Sequence, residues 1–347
     1  MDNVVFYRKY RPQKFKEVAG QAHIIEVLEG ALEKKHVAHA YLFSGPRGTG
    51  KTTTARILAR EVGCAPEDII EIDAASSRGI DEARALREAV RVLPMRSPYK
   101  VYIIDEVHML TKEAFNALLK TLEEPPEHAI FILATTELDK LPDTIVSRTQ
   151  HFEFRKIAIP DIVRELKRIA AAEKIAIDDD ALKLIAFFAE GSLRDAENTL
   201  YQVLGMEDKK ITEQAVRLLL GAPEEKAVND IVALLIKKDV TAALEIFDEI
   251  VRQGVNPSML ARLFLRNFRA MYLLSFDPSG RLVENEFSKE EIEAQKAMGG
   301  ERAVLEYAVR ELLAALQARV DDYVASLPLE LALIKIGTYE QNKTVKL

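Results

Sequence analysis

The chain has 347 residues, of which 48% are hydrophobic and 30% charged, so it can form two or three folded domains and is neither disordered nor fibrous. It carries 48 Lys and Arg against 55 Asp and Glu, a net charge of −7, so contact with nucleic acid requires a local basic face. A single cysteine, Cys64, excludes both an intramolecular disulfide and a cysteine-based zinc site.

Short apolar runs alternate with helical patterns in the first half of the chain. The runs lie at residues 41–43, 69–72, 101–104 and 130–134. Nearly continuous apolar strands separated by helices are typical of a parallel sheet that is covered on both faces. We therefore predict an α/β domain over residues 1–155.

After about Phe154 the pattern becomes helical. Helices are predicted at residues 161–173, 178–190, 192–204, 212–220, 224–238, 240–253, 257–275, 302–325 and 328–342. The Gly and Pro residues at 221–223 predict a boundary between a small helical domain over 156–221 and an all-helical domain over 222–347. The polar, acidic segment 276–301 is predicted to be a long exposed connection with one short helix.

The first chemical motif is a glycine-rich loop between a predicted strand and a predicted helix. Residues 45–52 fit the pattern G-x-x-x-x-G-K-[ST], in which backbone amides wrap a phosphate. Lys51 is expected to reach the β- and γ-phosphates, and Thr52 to ligate magnesium. The predicted nucleotide contacts in this loop are Gly45, Pro46, Arg47, Gly48, Thr49, Gly50, Lys51, Thr52 and Thr53. The alternative is a chance glycine turn before a helix.

An acidic pair follows the third apolar run. The run at 101–104 places Asp105 at the carboxyl end of a strand, where parallel sheets present their ligands. We predict that Asp105 holds magnesium and that Glu106 polarises the attacking water. The alternative is an acidic helix start without chemistry. No chemistry is assigned to His108.

An ordered set of motifs resembles the tau/gamma ATPase family of the bacterial DNA polymerase III clamp loader, whose members are AAA+ proteins. The motifs are RKYRP at 8–12, VAGQ at 18–21, DEVHML at 105–110, FNALLKTLEEPP at 115–126, LATT at 133–136, SR at 147–148 and GSLRDA at 191–196. They cover roughly residues 6–200, and the helical remainder agrees with the family's collar only in kind. The resemblance implies a P-loop AAA+ module with a parallel sheet and flanking helices, then a helical lid and an all-helical oligomerisation collar.

The resemblance also implies a function. Family members hydrolyse ATP to open a ring-shaped sliding clamp and load it onto primer–template DNA during replication. The implied partners are the clamp, DNA and other loader subunits joined through the collar, in a hetero-oligomer or, in isolation, a homo-oligomer. With no membrane-spanning apolar run and no signal-peptide core, we expect a cytoplasmic protein.

Two alternatives to this function stay open. One is an ATP-driven branch-migration helicase on the same fold, which would need a C-terminal winged helix; residues 222–347 show no hairpin pattern for one. The other is a scaffold subunit of the same loader that does not hydrolyse ATP. The intact Lys51, Thr52, Asp105 and Glu106 argue against the scaffold.

The resemblance implies further site residues. The family's N-terminal linker and Val-x-Gly-Gln box line the adenine pocket, and the corresponding residues here are Tyr10, Arg11, Pro12 and Val18. Thr136, with Thr135 as the alternative, corresponds to a sensor of the γ-phosphate, and Arg194 to a second sensor on the lid. Arg148 corresponds to an arginine that enters the nucleotide site of a neighbouring subunit in trans. The competing interpretations are a basic arm, a polar strand end, a capped helix start and a surface pair.

The remaining expectations concern cofactors and DNA. Relatives carry a four-cysteine zinc module that is missing here, since residues 64–68 lead straight to Ile69, so we expect ATP and Mg²⁺ but no zinc. Residues 80–93 are predicted to form a helix that presents Arg84, Arg87 and Arg91 on one face. That face suits DNA phosphates or, equally, water.

Overall fold

The computed structural model describes residues 4–76, 88–205, 210–318 and 324–340. The chain forms two compact units, each of two segments. The first unit contains Met1–Ile169 and Ala186–Tyr201, and the second contains Ala170–Ile185 and Gln202–Leu347. The boundaries at residues 155 and 221 stay predictions.

A five-stranded parallel sheet forms the centre of the first unit. Its strands are β1 (Ala40–Ser44), β2 (Ile69–Asp73), β3 (Lys100–Asp105), β4 (Ala129–Thr135) and β5 (Gln150–Glu153), in the order β2-β3-β4-β1-β5. All pairings between these strands are parallel, which confirms the predicted sheet. Strand β5 was not predicted, because only Phe152 of its four residues is buried and it has no apolar run.

Two apolar cores cover the two faces of the sheet. Successive side chains of a strand point to opposite faces, so Tyr41 and Phe43 join one core while Leu42 joins the other. Helices α2 (Ala22–Glu33) and α3 (Lys51–Glu61) pack on the first face. Helices α4 (Lys112–Glu123) and α5 (Asp143–Val146) pack on the second. This double cover explains why β1 and β4 contain almost no polar residues.

The other helices follow the sheet, except α1, which precedes it. They are α1 (Phe6–Lys9), α6 (Ile159–Glu173), α7 (Asp179–Phe188), α8 (Leu193–Leu204), α9 (Glu213–Leu220), α10 (Glu225–Ile236), α11 (Val240–Arg252), α12 (Pro257–Leu274), α13 (Lys289–Met298), α14 (Arg302–Gln317) and α15 (Leu327–Gly337). The helical character predicted after Phe154 is confirmed for the described residues. None of the helices in those residues is both long and apolar enough to cross a membrane.

Three predictions about the C-terminal part of the chain need correction. The helix expected over 302–325 ends at Gln317, and residues 319–323 lie outside the described ranges. The helix expected over 328–342 ends at Gly337, and residues 338–340 are not helical. The segment 276–301 is more than an exposed connection, because Val283 and Phe287 are 1% and 2% exposed in a core with Leu274 of α12. Their spacing of four residues brings both side chains onto one side of a short turn. The sequence did not predict this burial, because charged residues surround the pair.

Candidate functional site

The glycine-rich loop connects β1 to α3 in a conformation that requires glycine. Gly48 has φ +70° and Gly50 has φ +102°, both in the left-handed region that side chains disfavour. A Cβ at Gly48 would also lie 1.9 Å from Ser192 Oγ. The two glycines therefore allow the loop to curl at the start of α3, and backbone amides at a helix N-terminus can bind an anion.

Two other segments hold the loop in place. Gln21 is fully buried, and its Nε2 donates to the carbonyls of Arg155 at 2.8 Å and Thr49 at 3.4 Å. The amide of Leu193 donates to the Gly48 carbonyl at 3.0 Å, so α8 begins against the loop. Gln21, the last residue of the Val-x-Gly-Gln box, therefore braces the loop.

Lys51 is buried within the same loop. It is 6% exposed, and its Nζ donates to the carbonyls of Gly45 at 2.7 Å and Pro46 at 2.8 Å. Burial lowers the pKa of Lys51, and the nearby carboxylates of Glu106 and Asp105 oppose that shift. The ammonium group is thus held by weak neutral acceptors that phosphate oxygens can replace.

Asp105 and Thr52 meet at the carboxyl end of β3. Thr52 Oγ1 donates to Asp105 Oδ2 at 2.6 Å. Mg²⁺ bound to nucleotide phosphates needs only one or two protein oxygens, and hydroxyl and carboxylate oxygens are the hard ligands that it prefers. This pair fits that requirement. In the described part of the chain, no group of three or more His, Cys, Asp or Glu side chains could hold a metal without a nucleotide.

Glu106 adopts a strained backbone conformation beside Asp105. Its φ is +48°, in a region that costs a non-glycine residue about 1–3 kcal/mol and is frequent at functional sites. Glu106 Oε2 accepts hydrogen bonds from Thr136 Oγ1 at 2.9 Å and from the Thr136 amide at 3.3 Å. The structure thus brings the predicted sensor Thr136 into contact with the predicted water-polarising carboxylate.

Thr135, the alternative sensor, points elsewhere. Its side chain is fully buried, and its Oγ1 lies 2.9 Å from His108 Nδ1 and accepts from the Glu137 amide at 3.0 Å. His108 is in turn 3.4 Å from Glu106 and 3.3 Å from Glu137. The contacts of Thr135 therefore fix the end of β4, while Thr136 reaches the acidic pair.

The loop and the acidic pair line one cleft with about 870 Å³ of empty space, solvent at its mouth included. All of its lining residues belong to the first unit. The sequence-predicted residues among them are Arg11, Pro12, Val18, Arg47, Gly48, Thr49, Gly50, Lys51, Thr52, Thr53, Asp105, Glu106 and Arg194. The lining of the cleft combines anion-binding groups with apolar side chains, as a nucleotide requires.

Other lining residues were not predicted. They are Tyr7, Ala19, Ile157, Leu193 and Glu197. Tyr7 takes the place expected for Tyr10, and the Arg194 guanidinium lies 4.7 Å from its ring centroid. Tyr10 instead packs its ring edge against Phe6. Tyr7 lies in α1 and Tyr10 directly follows its end, three residues along, and nothing in the local sequence distinguishes them.

Gly45 and Pro46 do not line the cleft, since their carbonyls face Lys51. Arg148 also lies outside the cleft of its own chain. Its guanidinium donates to the Thr144 carbonyl at 2.9 Å and pairs with Glu123 at 2.8 Å on the surface.

The predicted DNA-facing arginines are only partly described. Arg84 and Arg87 lie outside the described residues, and Arg91 is exposed. Cys64 is buried, and its thiol donates to the Tyr99 carbonyl at 3.3 Å. The expectation that the protein holds no zinc stays a prediction.

Three family models match successive parts of the chain. The model of the DNA polymerase III delta subunit matches residues 20–72 and 66–158. The model of the DNA polymerase III clamp loader subunit ATPase lid domain matches residues 161–204. The model of domain III of DNA polymerase III subunits gamma and tau matches residues 211–313.

Curated relatives carry the same names. The chain is 44% identical to the DNA polymerase III subunit tau of Bacillus subtilis over 80% of this chain and 53% of that protein. It is 36% identical to the Escherichia coli subunit tau over 90% of this chain and 49% of that protein. The chain therefore spans about half the length of these two relatives. It is 37% identical to the subunit gamma of Buchnera aphidicola from Acyrthosiphon pisum over 82% of this chain and 83% of that protein.

Solved structures agree on the fold. The RuvB Holliday junction branch migration motor of Thermotoga maritima matches with a TM-score of 0.51 and 22% identity, over 69% of this chain and 85% of that chain. This likeness supports the AAA+ fold and nothing about activity. The relatives, in contrast, establish kinship along the chain, and the chain therefore belongs to the gamma/tau subunit family of the DNA polymerase III clamp loader.

Proposed function

We propose that this chain is an ATP-hydrolysing motor subunit of a clamp loader, which opens a sliding clamp and places it on primer–template DNA in the cytoplasm. The observation that carries the proposal is the convergence of Lys51, the Thr52–Asp105 pair and Glu106 in one cleft. A subunit that only bridged its neighbours would need none of these groups. Membership in the gamma/tau family supplies the clamp, the DNA and the other loader subunits as partners.

The phosphate loop binds ATP in the ground state, before hydrolysis. The loop amides and Lys51 bind the β- and γ-phosphates, and Lys51 exchanges its two carbonyl partners for phosphate oxygens. Thr52 and Asp105 would hold Mg²⁺, which would neutralise charge on the phosphates. Arg194, at the start of α8 beside the loop, adds positive charge near the γ-phosphate.

The hydrolytic step uses Glu106. Its carboxylate accepts a proton from the attacking water, or orients that water, as the γ-phosphoryl group separates. The Thr136 hydroxyl now donates to Glu106, and a γ-phosphate that competes for this donor frees the carboxylate for water. Arg148 of a neighbouring subunit supplies the remaining positive charge in trans.

ATP binding favours the assembly that opens the clamp and grips DNA, and hydrolysis releases both, because a ligand shifts a conformational equilibrium through its differential affinity. The test is steady-state ATPase of the chain alone and with clamp, partner subunits and primed DNA. Stimulation that requires clamp and primed DNA together is expected. Turnover driven by Holliday junctions would indicate a branch-migration motor, and absence of turnover in the full assembly would indicate a scaffold.

A further inference from the structure

Glu197 is a buried carboxyl group in the nucleotide cleft to which the mechanism assigns no role. It is 6% exposed and lines the cleft from helix α8. That helix begins against the phosphate loop, since the Leu193 amide binds the Gly48 carbonyl and a Cβ at Gly48 would lie 3.3 Å from Arg194 Cβ. Glu197 is one turn farther along, about 5 Å from the loop end of the helix, so it lines the cleft beyond the residues that contact the loop.

The surroundings leave this carboxyl group short of hydrogen-bond donors. It is faced by Glu165 and Arg168 of α6 and by Arg11, which act on it through their charges. Arg168 already binds Glu165 at 2.8 Å, and within the described ranges no residue donates a hydrogen bond to the Glu197 carboxyl group. Tyr7 and Arg194 are the other titratable groups at this side of the cleft. The carboxyl group faces the cleft, so a ligand that fills the cleft displaces water from it and must supply a partner in its place.

We propose that Glu197 reads the base of the bound nucleotide by accepting a hydrogen bond from the 6-amino group of adenine, and that it rejects 6-oxopurines. The inference rests on the proposed ATP-dependent function and names the group that selects the base. Adenine presents an amino donor at position 6, whereas guanine and hypoxanthine present a carbonyl acceptor there. An ionised carboxylate only accepts, so it pairs with the amino group and repels the carbonyl.

The protonation state of Glu197 gives the proposal a distinctive pH dependence. Burial and the negative charge of Glu165 raise the pKa of Glu197 to about 7, against the opposing charges of Arg168 and Arg11. Above that pH the carboxylate favours adenine. Below that pH, the protonated carboxyl group can donate a hydrogen bond to a 6-carbonyl. The preference for adenine over 6-oxopurines should therefore fall as the pH drops from 8 to 6.

The test compares the equilibrium binding of MgATP and MgITP to the full chain by calorimetry between pH 6 and pH 8. Hypoxanthine, the base of ITP, has a carbonyl instead of an amino group at position 6 and carries a proton on the adjacent N1. We expect a preference for ATP of about 10- to 150-fold at pH 8, the range for a hydrogen bond to a charged group, and a clear decrease at pH 6. Glu197→Leu should reduce the preference to within about threefold at both pH values.

Two further variants separate base reading from general damage. Glu197→Gln keeps an acceptor but cannot titrate, so it should show a preference that does not change with pH. Glu165→Gln is the matched control outside the cleft lining, and it should keep the preference for ATP at pH 8. Because it removes a negative charge near Glu197, the pH at which the preference is half lost should be lower than in the unaltered chain. An unchanged ATP-to-ITP ratio in Glu197→Leu overturns the inference.

Failure of the inference is distinguishable from failure of the proposed function. If MgATP and MgITP bind equally well to the unaltered chain and Lys51→Ala abolishes the binding of both, the proposed nucleotide site is correct. In that case the inference that Glu197 selects the base is wrong. If neither triphosphate binds in a way that depends on Lys51, the proposed function itself is wrong.

Discussion

At the scale of single residues, the proposed mechanism assigns Lys51 and Glu106 to different stages of the reaction. In that mechanism Lys51 meets phosphates in the ground state, whereas Glu106 acts on water in the transition state. Lys51→Ala should therefore weaken ATP binding by at least about tenfold, as expected when a charged hydrogen-bond donor is lost. Glu106→Gln should retain ATP affinity and lose about 10²–10⁴-fold in turnover. Equal loss of affinity in both variants, measured by calorimetry beside steady-state ATPase, would contradict this division.

The adjacent threonines at the end of β4 provide a second residue-scale contrast. Thr136→Val removes the hydroxyl that binds Glu106 and should slow hydrolysis about tenfold with little change in stability. Thr135→Val removes the partner of His108 and of the Glu137 amide inside the core, so it should lower the free energy of unfolding by about 1–3 kcal/mol.

Urea unfolding and ATPase assays on the two valine variants separate these effects. A large loss of stability in Thr136→Val, with normal turnover in the folded fraction, would assign the sensor role elsewhere.

Sequence patterns could predict the phosphate end of the cleft, because its residues are consecutive and their spacing is set by one loop. They could not predict Tyr7, Ile157 or Glu197, which come from three segments joined only by the fold. Glu197 in particular lies in a helix where a glutamate is ordinarily exposed. Its burial depends on α6 and the N-terminal segment, which no local pattern reveals.

At the scale of elements, the contact between the phosphate loop and the start of α8 depends on Gly48. Gly48→Ala places a Cβ against Ser192 Oγ and strains φ, so it should separate α8 from the loop and weaken ATP binding by more than about tenfold. Gly63→Ala is the matched control, since its φ is +84° but nothing lies within 4 Å of the added Cβ. The control should cost about 1–2 kcal/mol of stability through strain alone and leave ATP affinity unchanged.

Thermal unfolding and nucleotide titration of the two alanine variants test this contact. If Gly48→Ala binds ATP as well as Gly63→Ala does, the close approach of α8 is not required for binding.

Strands with an uninterrupted run of apolar residues were predicted well. Elements whose buried residues are isolated among polar ones were not. Strands β1 and β4 are buried on both faces and read as apolar runs. Strand β5 buries one side chain, and the core pair Val283 and Phe287 lies in an acidic segment. Their burial results from tertiary packing, which overrides local composition.

At the scale of the whole molecule, helix α15 carries an apolar stripe on its exposed side. Leu327, Leu331 and Ile334 are 42%, 48% and 38% exposed, and their spacing of four and three places them on one helix face. Such a face is typical of subunit contacts. We expect Leu331→Glu to weaken self-association of the chain at least tenfold, since burying a leucine contributes about 1.5–3 kcal/mol.

Sedimentation of the full chain over a range of concentrations measures this effect. Leu282→Glu is the matched control, because Leu282 is 56% exposed but lies outside the stripe. Equal association in both variants would mean that α15 is not the contact between copies.

Arg148 is the residue through which the proposed mechanism connects one chain to its neighbour. It lies outside the cleft of its own chain and is held at the surface by Glu123 and the Thr144 carbonyl. An exposed ion pair of this kind contributes little stability, so it can be exchanged for a phosphate at low cost. Arg148→Ala should therefore leave ATP binding intact and slow hydrolysis in the assembly, by up to the roughly 10³–10⁵-fold range of trans arginines.

Mixing variants decides whether Arg148 acts in trans. In an assembly of Arg148→Ala and Lys51→Ala subunits, some interfaces pair a competent cleft from the first variant with an intact arginine from the second. ATPase above that of either variant alone is expected, in proportion to the fraction of such interfaces. Glu123→Gln is a useful companion, because it releases Arg148 from its surface partner without removing the arginine and should preserve turnover. If mixed assemblies form, as confirmed by mass measurement, and show no recovery, Arg148 acts within its own subunit or only holds structure.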